Sequence, residues 1–291
     1  MVLVSVLPCA SCAPMGLLTR SDGKEINGGT AWYGDPNDPH CLAPRIGLRA
    51  VSTASVLVRG TSAGRPVWGR VWIGVDHSTR SLRVESAAPA QFILTAERAL
   101  LAADDTSDGA ATLYLPPQHR VVQRASSRAL LDAVLGLPLP AHEFVWAFTG
   151  CQNITGNIDE RAFGPNLARV SMGNALPLDV FLRRANPQTS WTVFAMSRAS
   201  QTQAFRWWAE YRRNPEKVLQ SVRIVSEEPH GAIGRLFDLD LTLSRIQYAP
   251  LVGPEVFTPV RPSTARPVPL ETWQRQRPRS SLPLVNALKD R

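Results

Sequence analysis

The fold is decided by the sequence SSRALLDAVLGLPLPAHEFVWAFTG, residues 126–150, and by the strands that precede it. The periodicity of this sequence predicts two short helices, Ser126–Leu135 and Pro140–Thr149. Gly136 and Gly150 follow the last turns, as is common for residues that end a helix. Each helix has one apolar face, formed by Leu130, Leu131, Val134 and Leu135 in the first helix and by Phe144, Val145 and Phe148 in the second.

Short strands with a period of two precede the helices. In Ser81–Ser86, Leu82 and Val84 point to one side and Arg83 and Glu85 to the other, which is the pattern of a sheet with one wet face. Such a sheet needs a cover on its dry face, and the helical pair is the nearest candidate. The predicted strands are Ser52–Gly60, Pro66–Asp76, Ser81–Ser86, Ala90–Thr95, Ala110–Leu115 and His119–Gln123.

Strands resume after a predicted polar loop, Gln152–Asn166. In Ala204–Arg212 apolar and charged residues alternate, which favours a strand, although Trp207, Trp208 and Tyr211 also share one face of a helix. The predicted strands of this half are Ala168–Met172, Leu178–Arg183, Ser190–Arg198, Ala204–Arg212, Val218–Val225 and Ala232–Gln247.

Many consecutive strands with a single helical interruption predict a mainly β protein, built as an antiparallel meander rather than from βαβ units. A sheet of this length curls. Curled over the helices, it becomes an unclosed antiparallel β-barrel, a half-barrel of about eleven to twelve strands, with the short helical pair covering its concave face. Of the 291 residues, 44% are hydrophobic, which is enough for a large core.

Composition divides the chain into four parts. Residues 1–12 form a signal-like and lipobox-like leader, and residues 13–48, rich in Gly, Pro, Asn and Asp, predict a flexible linker. Residues 49–260 form the half-barrel. Residues 261–291 are a tail rich in Pro and Arg, in which Leu270–Gln276 predicts one short helical turn.

Cys12 is the candidate lipidation site. It follows an apolar segment and the small residues Ala10 and Ser11, as in the bacterial lipobox, whose cysteine becomes the lipidated first residue of the mature protein. Cys9 stands where the lipobox prefers Leu, so two other interpretations stay open: an inert leader, or a redox or metal pair of Cys9 and Cys12. No other segment has the roughly 18 uninterrupted apolar residues of a transmembrane helix.

The net charge of +8 comes almost wholly from arginine, because the only lysines are Lys24, Lys217 and Lys289. A basic balance can indicate nucleic acid, anionic lipid or no specific partner. The arginines form no concentrated stripe, since Arg70 and Arg83 alternate with apolar residues on strands and others lie in the tail. We therefore predict no nucleic-acid partner and interpret these charges as a solvated face.

No motif in the sequence carries catalytic chemistry: a nucleophile elbow, a Walker loop and a dinucleotide-binding glycine pattern are all missing. The acidic run of Asp104, Asp105 and Asp108 lacks the ligand spacing of a calcium loop and is better explained as a solvated turn. We predict no catalytic residue, no metal and no cofactor, and keep a secreted enzyme with a fold-assembled site as an alternative. The histidines, which share no metal-ligand spacing, are His40, His77, His119, His142 and His230.

The order of these elements resembles a known family. Strands, then SSRALL at 126–131, LGLPL at 135–139 and FTG at 148–150, then further alternating strands, are similar to the bacterial LolA/LolB-like lipoprotein carriers, which sort outer-membrane lipoproteins, and to their uncharacterised lipoprotein relatives. In that family a leucine-rich helical plug and an LGLPL-like connection lie between two groups of strands. The similarity runs from Arg49 to Pro262, where Val256 and Phe257 resemble the family's closing strand.

The resemblance implies an unclosed β-barrel whose cavity shields acyl chains of lipids or lipoproteins in the periplasm. Together with the missing catalytic motifs and the lipobox-like leader, it leads us to expect a protein that is not an enzyme, is anchored by a lipid at Cys12 in the outer membrane, and has a periplasmic carrier protein as a further partner. A non-catalytic β-rich envelope scaffold or sensor with the same fold is the alternative. The residues expected to line the cavity and its helical cover are Val71, Ile73, Leu82, Val84, Phe92, Leu94, Leu131, Val134, Leu135, Phe144 and Phe148.

Overall fold

The structure is a computed structural model, and it describes only part of the chain. The described residues are 24–25, 51–76, 81–86, 92–96, 110–151, 158–173, 176–189, 191–199, 205–216, 218–227, 236–248 and 254–276. The strands are β1 Lys24–Glu25, β2 Val51–Ser62, β3 Arg65–Asp76, β4 Ser81–Ser86, β5 Ile93–Ala96, β6 Ala110–Leu115, β7 Arg120–Ser126, β8 Ile158–Ala162, β9 Leu167–Met172, β10 Leu178–Arg183, β11 Thr192–Ala199, β12 Arg206–Arg213, β13 Leu219–Glu227, β14 Phe237–Tyr248 and β15 Arg266–Pro267. The helices are α1 Ser127–Leu135, α2 Ala141–Thr149 and α3 Leu270–Gln276, and 3₁₀ turns lie at Pro116–Gln118 and Pro254–Phe257.

All of these strands belong to one sheet, in the order β1-β8-β9-β10-β11-β12-β13-β14-β2-β3-β4-β5-β6-β7-β15. Neighbours are antiparallel, except that β15 runs parallel to β7. The predicted mainly β, unclosed half-barrel with a helical pair over its concave face is confirmed. It contains fifteen strands in the described residues, however, where about eleven to twelve are expected from the sequence.

The extra strands lie at the two ends of the sheet. Ile158–Ala162, predicted as part of a polar loop, is strand β8, and the two-residue strand β1 pairs with it. The sequence IDERA shows no apolar alternation because Ile158 and Asp159 are exposed at this edge. A strand near the edge of the sheet pairs its backbone with its neighbours without burying an apolar face, so the pattern gives no strand signal.

The two groups of strands are joined by the pairing of β14 with β2, so the helical pair and its flanking strands β7 and β8 lie away from this seam. Gly60 of β2 lies opposite Leu239 of β14 with φ +145. A Cβ at this position would lie 2.0 Å from the carbonyl oxygen of Asp238. Only glycine permits this close approach at the seam of the sheet.

Both helices end as predicted, and each begins one residue later than predicted, because Ser126 and Pro140 are the capping residues before the first turn. The hydroxyl of Ser126 accepts a hydrogen bond from the amide of Ala129 at 3.2 Å and caps α1. Gly136 and Gly150 both have φ 71 and end α1 and α2 in the left-handed conformation. The hydroxyl of Ser127 also accepts a hydrogen bond from the amide of Ala141, at 3.0 Å, and so ties the start of α2 to the start of α1.

The segment after β14 packs on the sheet. A 3₁₀ turn occupies Pro254–Phe257, where the resemblance implies a closing strand, and Phe257 lies on Gly74 of β3. The predicted helical turn Leu270–Gln276 is confirmed as α3, whose Trp273 is buried in the main core. Proline within β15 is tolerated because this strand forms the edge of the sheet.

Candidate functional site

The concave face of the sheet and the helical pair enclose one apolar cluster. Ile73, Val84 and Leu94 are direct neighbours across β3, β4 and β5, so they point to the same side of the sheet. All eleven residues predicted from the sequence to line a cavity belong to this cluster, and each is at most 4% exposed. The structure therefore brings the whole predicted set together, in a packed arrangement.

Helix α2 lies at the centre of this interior. All nine of its residues are buried, so it differs from α1, whose Asp132 is exposed. Phe144 and Phe148 stack on one another with ring centroids 5.8 Å apart. A helix that is buried all round must bury its polar side chains too, and their partners then become important.

A polar cluster, which we define as Glu143, Arg198, Trp207 and Tyr211, connects α2 to the sheet. The indole nitrogen of Trp207 donates a 2.8 Å hydrogen bond to Oε2 of Glu143. The guanidinium Nε of Arg198 lies 3.7 Å from Oε1 of the same carboxylate and 5.3 Å from the ring of Trp146. Glu143 and Arg198 are 6% and 2% exposed, so this is a buried ion pair. In the interior the two opposite charges stabilise each other, in place of the hydration that each would have at the surface.

Tyr211 holds the C-terminal half of α2. Its hydroxyl lies 3.0 Å from the carbonyl oxygen of Ala147 and 3.2 Å from that of Trp146, and it donates to this pair of acceptors. Burial raises the pKa of the Tyr211 phenol well above its ordinary value, so the side chain stays protonated and remains a donor. The tyrosine ring also packs on Gly150, where an added Cβ would lie 3.3 Å from the ring.

The polar cluster is absent from the sequence prediction, although each partner leaves a signal. Glu143 is the only charged residue in the otherwise apolar or neutral α2 sequence AHEFVWAFT. Arg198 lies opposite Trp207, on the inward side of β11, where alternation would place an apolar residue. A charged residue at each of two inward positions suggests that the two pair, but only the fold places them together.

Two further pockets formed by described residues have charged linings. Among the residues that the structure describes, no group of three His, Cys, Asp or Glu side chains could hold a metal ion. A pocket of about 410 Å³ on the outer face of β8–β10 is lined by Asp159, Arg169 and Asp179 among others. A pocket of about 620 Å³ beside β15 includes Arg120 and Arg266. Charged linings of this kind do not suit an acyl chain.

The predicted lipidation site lies outside the described residues, as do the leader and the acidic run of Asp104, Asp105 and Asp108. Cys151, directly after the helical pair, is disulfide-bonded. None of the described helices is both long and apolar enough to cross a membrane.

Comparisons with known proteins give similarity at the level of shape. No protein-family model matches the sequence, and no curated protein does. An outer membrane lipoprotein-sorting protein domain from Vibrio parahaemolyticus matches with 12% identity and a TM-score of 0.47, over 72% of this chain and 89% of that domain. A DUF1329 family protein from Desulfovibrio piger ATCC 29098 matches with 12% identity and a TM-score of 0.35, over 73% of this chain and 91% of that protein. Similarity at this level says nothing by itself about ligand or activity.

Proposed function

We propose that this protein binds acyl chains of a lipid or lipoprotein in the bacterial cell envelope, on the concave face of its half-barrel. The observation that carries the proposal is the large apolar cluster that the concave face of the sheet forms with the helical pair, whose ends are capped within the pair itself. The element order supports the proposal, because a helical pair lies between two groups of strands, as the resemblance to the LolA/LolB-like carriers implies.

The binding energy requires no catalytic group. Each buried CH₂ contributes about 0.8 kcal/mol, so an acyl chain of about sixteen carbons gains about 12 kcal/mol in an apolar interior. We accordingly propose a carrier or binding protein rather than an enzyme. Release then depends on a membrane or a periplasmic carrier protein that binds the chain better.

Binding requires the helical pair to move. Leu131 and Phe144 are completely buried, and α2 occupies the interior that an acyl chain would need. The structure therefore corresponds to a closed state in this proposal. The polar cluster is the part of the interface that opening must break, since Glu143, Trp207 and Arg198 join α2 to β11 and β12.

A periplasmic location with a lipid anchor at Cys12 in the outer membrane completes the proposal. The disulfide of Cys151 supports an oxidising compartment, because disulfides persist in the periplasm and are rare in the cytosol. An anchored protein of this kind would receive or hold its ligand close to the membrane surface.

A second candidate is a non-catalytic envelope scaffold or sensor. The close packing of the eleven predicted lining residues favours it, because a structural module needs a filled core and no opening. The two candidates differ in one property: in a lipid-binding protein the helical pair moves aside to admit an acyl chain, and in a scaffold it does not.

Native purification from membranes, followed by mass spectrometry of the lipids that co-purify, tests the proposal. We expect stoichiometric acylated species, and saturable binding of a fluorescent fatty acid after the lipid is removed. Well-folded protein that carries no lipid and binds no fatty acid would leave the scaffold as the better account.

A further inference from the structure

Strand β3 exposes two tryptophans on the convex face of the sheet. Trp68 and Trp72 are 40% and 38% exposed, while Val67, Gly69 and Val71 between and beside them are buried. The other tryptophans that the structure describes are buried or half-buried. Exposing two large aromatic side chains on one strand costs apolar burial, so the arrangement calls for a partner.

Basic residues surround these tryptophans. Arg70 stands between them on the same face of β3, and across the ladder Arg59 lies opposite Trp68 and Leu57 lies opposite Arg70. We call these five residues the tryptophan–arginine strip. The two indoles are four residues apart, which corresponds to about 13 Å along a strand, so the strip is a short row of side chains on the convex face.

The free charge of the strip is positive. Within the described residues, the exposed guanidinium groups of Arg59 and Arg70 have no ion-pair partner. Two carboxylates lie nearby: Asp240 is opposite Arg59, and Glu85 is opposite Trp72. Glu85 is already paired with Arg83. Asp240 keeps its negative charge, although it accepts a hydrogen bond from Thr242 at 3.2 Å, and it offsets part of the charge of Arg59, so the positive charge of the strip rests mainly on Arg70.

The convex face is covered at the neighbouring positions. Gly74 lies two residues beyond Trp72, and a Cβ added at Gly74 would lie 3.8 Å from the ring of Phe257. Arg83 of β4 donates a 2.7 Å hydrogen bond to the carbonyl oxygen of Val256 and holds this cover in place. On β12, Trp208 also points to the convex side and is nevertheless buried, against Phe181. Within the part of the chain that the structure describes, the strip is thus an exposed part of a face that is buried at other positions.

We propose that the tryptophan–arginine strip docks on the surface of an anionic lipid bilayer. Indole rings prefer the interface between headgroups and acyl chains, and arginine binds phosphate groups in a bidentate manner. Exposure on a convex face, aromatic rings and positive charge together match a headgroup layer. The strip lies on the opposite side of the sheet from the apolar cluster, so this inference stands apart from acyl-chain binding.

Co-sedimentation of the full chain with vesicles tests the inference. The protein carries Cys12→Ala, so that no acyl anchor contributes, and the vesicles contain phosphatidylcholine alone or mixed with phosphatidylglycerol. We expect binding to the mixed vesicles only, weakened by salt. Removing one strip arginine, Arg59→Gln or Arg70→Gln, should reduce the partition coefficient about five-fold. The matched control Arg212→Gln removes an exposed charge on β12, away from the strip, and should have a much smaller effect.

The double variant Trp68→Ala/Trp72→Ala should also lose most binding, with circular dichroism confirming that it is folded. If that variant unfolds, the two arginine variants still test the inference, because the side chains of Arg59 and Arg70 are exposed and support no packing. Equal binding of strip and control variants, or no binding of the parent protein to anionic vesicles, would overturn the inference. So would tight binding of a single-stranded oligonucleotide through the same residues, since that would assign the strip to nucleic acid.

Discussion

Trp207 of β12 donates a hydrogen bond to Glu143 of α2 across 64 positions of sequence, with 2.8 Å between the indole nitrogen and Oε2. Both residues are buried, and Arg198 supplies the opposite charge at 3.7 Å. A buried ion pair adds little net stability compared with apolar residues, but it penalises any arrangement that separates its members. The contact therefore fixes where α2 sits in the concave face, and it defines the closed state of the helical pair.

The first prediction concerns stability. Glu143→Ala leaves the charge of Arg198 buried without its carboxylate, so we expect the free energy of unfolding to fall by about 3–5 kcal/mol. Urea denaturation followed by circular dichroism measures it. Glu216→Ala, which removes an exposed carboxylate from a turn, is the control and should change stability by about 0.5 kcal/mol or less. A similar small effect for Glu143→Ala would contradict the role given to the ion pair.

The second prediction separates the carrier from the scaffold. Glu143→Gln weakens the closed state without changing side-chain size, so a larger fraction of molecules is open and the apparent affinity for a fluorescent fatty acid should rise. The gain is about tenfold for each 1.4 kcal/mol by which the closed state is weakened. Gly64→Ala, in the turn between β2 and β3, controls for general destabilisation and should leave affinity unchanged. Unaltered or weaker binding by Glu143→Gln would favour the scaffold.

The third prediction is a pH dependence. Since burial raises the folded-state pKa of Tyr211 above its ordinary value of 10.0, the stabilisation from its protonated form is fully present below pH 10.0 and is lost as pH rises further. The free energy of unfolding falls by about 1.4 kcal/mol per pH unit over the range in which Tyr211 is ionised in the unfolded chain and protonated in the folded protein. Tyr211→Phe should cost about 1 kcal/mol at neutral pH and should make the decline above pH 10.0 shallower. Parallel stability curves for the two proteins would contradict this.

Alternation along the strands made most of the fold predictable. Leu82 and Val84 point into the core and Arg83 and Glu85 point outward, as the period of two indicates. Capping residues likewise placed both helices, because Gly136 and Gly150 end them locally. These features depend on near neighbours in the sequence, which a pattern can report.

Features that depend on distant partners were not predictable in the same way. The pairing of β14 with β2 joins the two groups of strands through residues that are far apart in the chain, and no local sequence pattern selects β2 as the partner of β14. Alternation along the strand places Trp208 on the opposite side from Trp207, which is the wet side. It does lie on that side but is buried, in a small apolar cluster with Phe181, Ala195 and Val225 of neighbouring strands. The ion pair of Glu143 and Arg198 was not predictable for the same reason, because only the fold brings the two residues together.

The fourth prediction concerns the anchor. Cys12→Ala should move the protein from the membrane pellet to the periplasmic fraction after a high-salt wash, because an acyl anchor resists salt and a docking surface of arginines does not. Fractionation of cells that express the protein from its native start measures this. The wild type should stay in the pellet under the same wash. Salt-resistant membrane association of Cys12→Ala would remove the lipidation site from the proposal and leave the inert leader or the cysteine pair.

The last prediction tests the seam between the two groups of strands. Alanine at Gly60 would place its Cβ 2.0 Å from the carbonyl oxygen of Asp238, at a backbone φ of +145 that side chains rarely adopt. Strand β14 would have to move away from β2, so we expect Gly60→Ala to lower the free energy of unfolding by about 3 kcal/mol or more.

Gly64→Ala is the matched control, because Gly64 also has a positive φ, of +71, but no atom lies within 4 Å of its Cβ position. It should cost only about 1 kcal/mol, the ordinary penalty of a left-handed alanine. Thermal and urea denaturation of the two variants compare these costs directly. Equal destabilisation would mean that backbone conformation, and not the close approach of β14, explains the glycine at position 60.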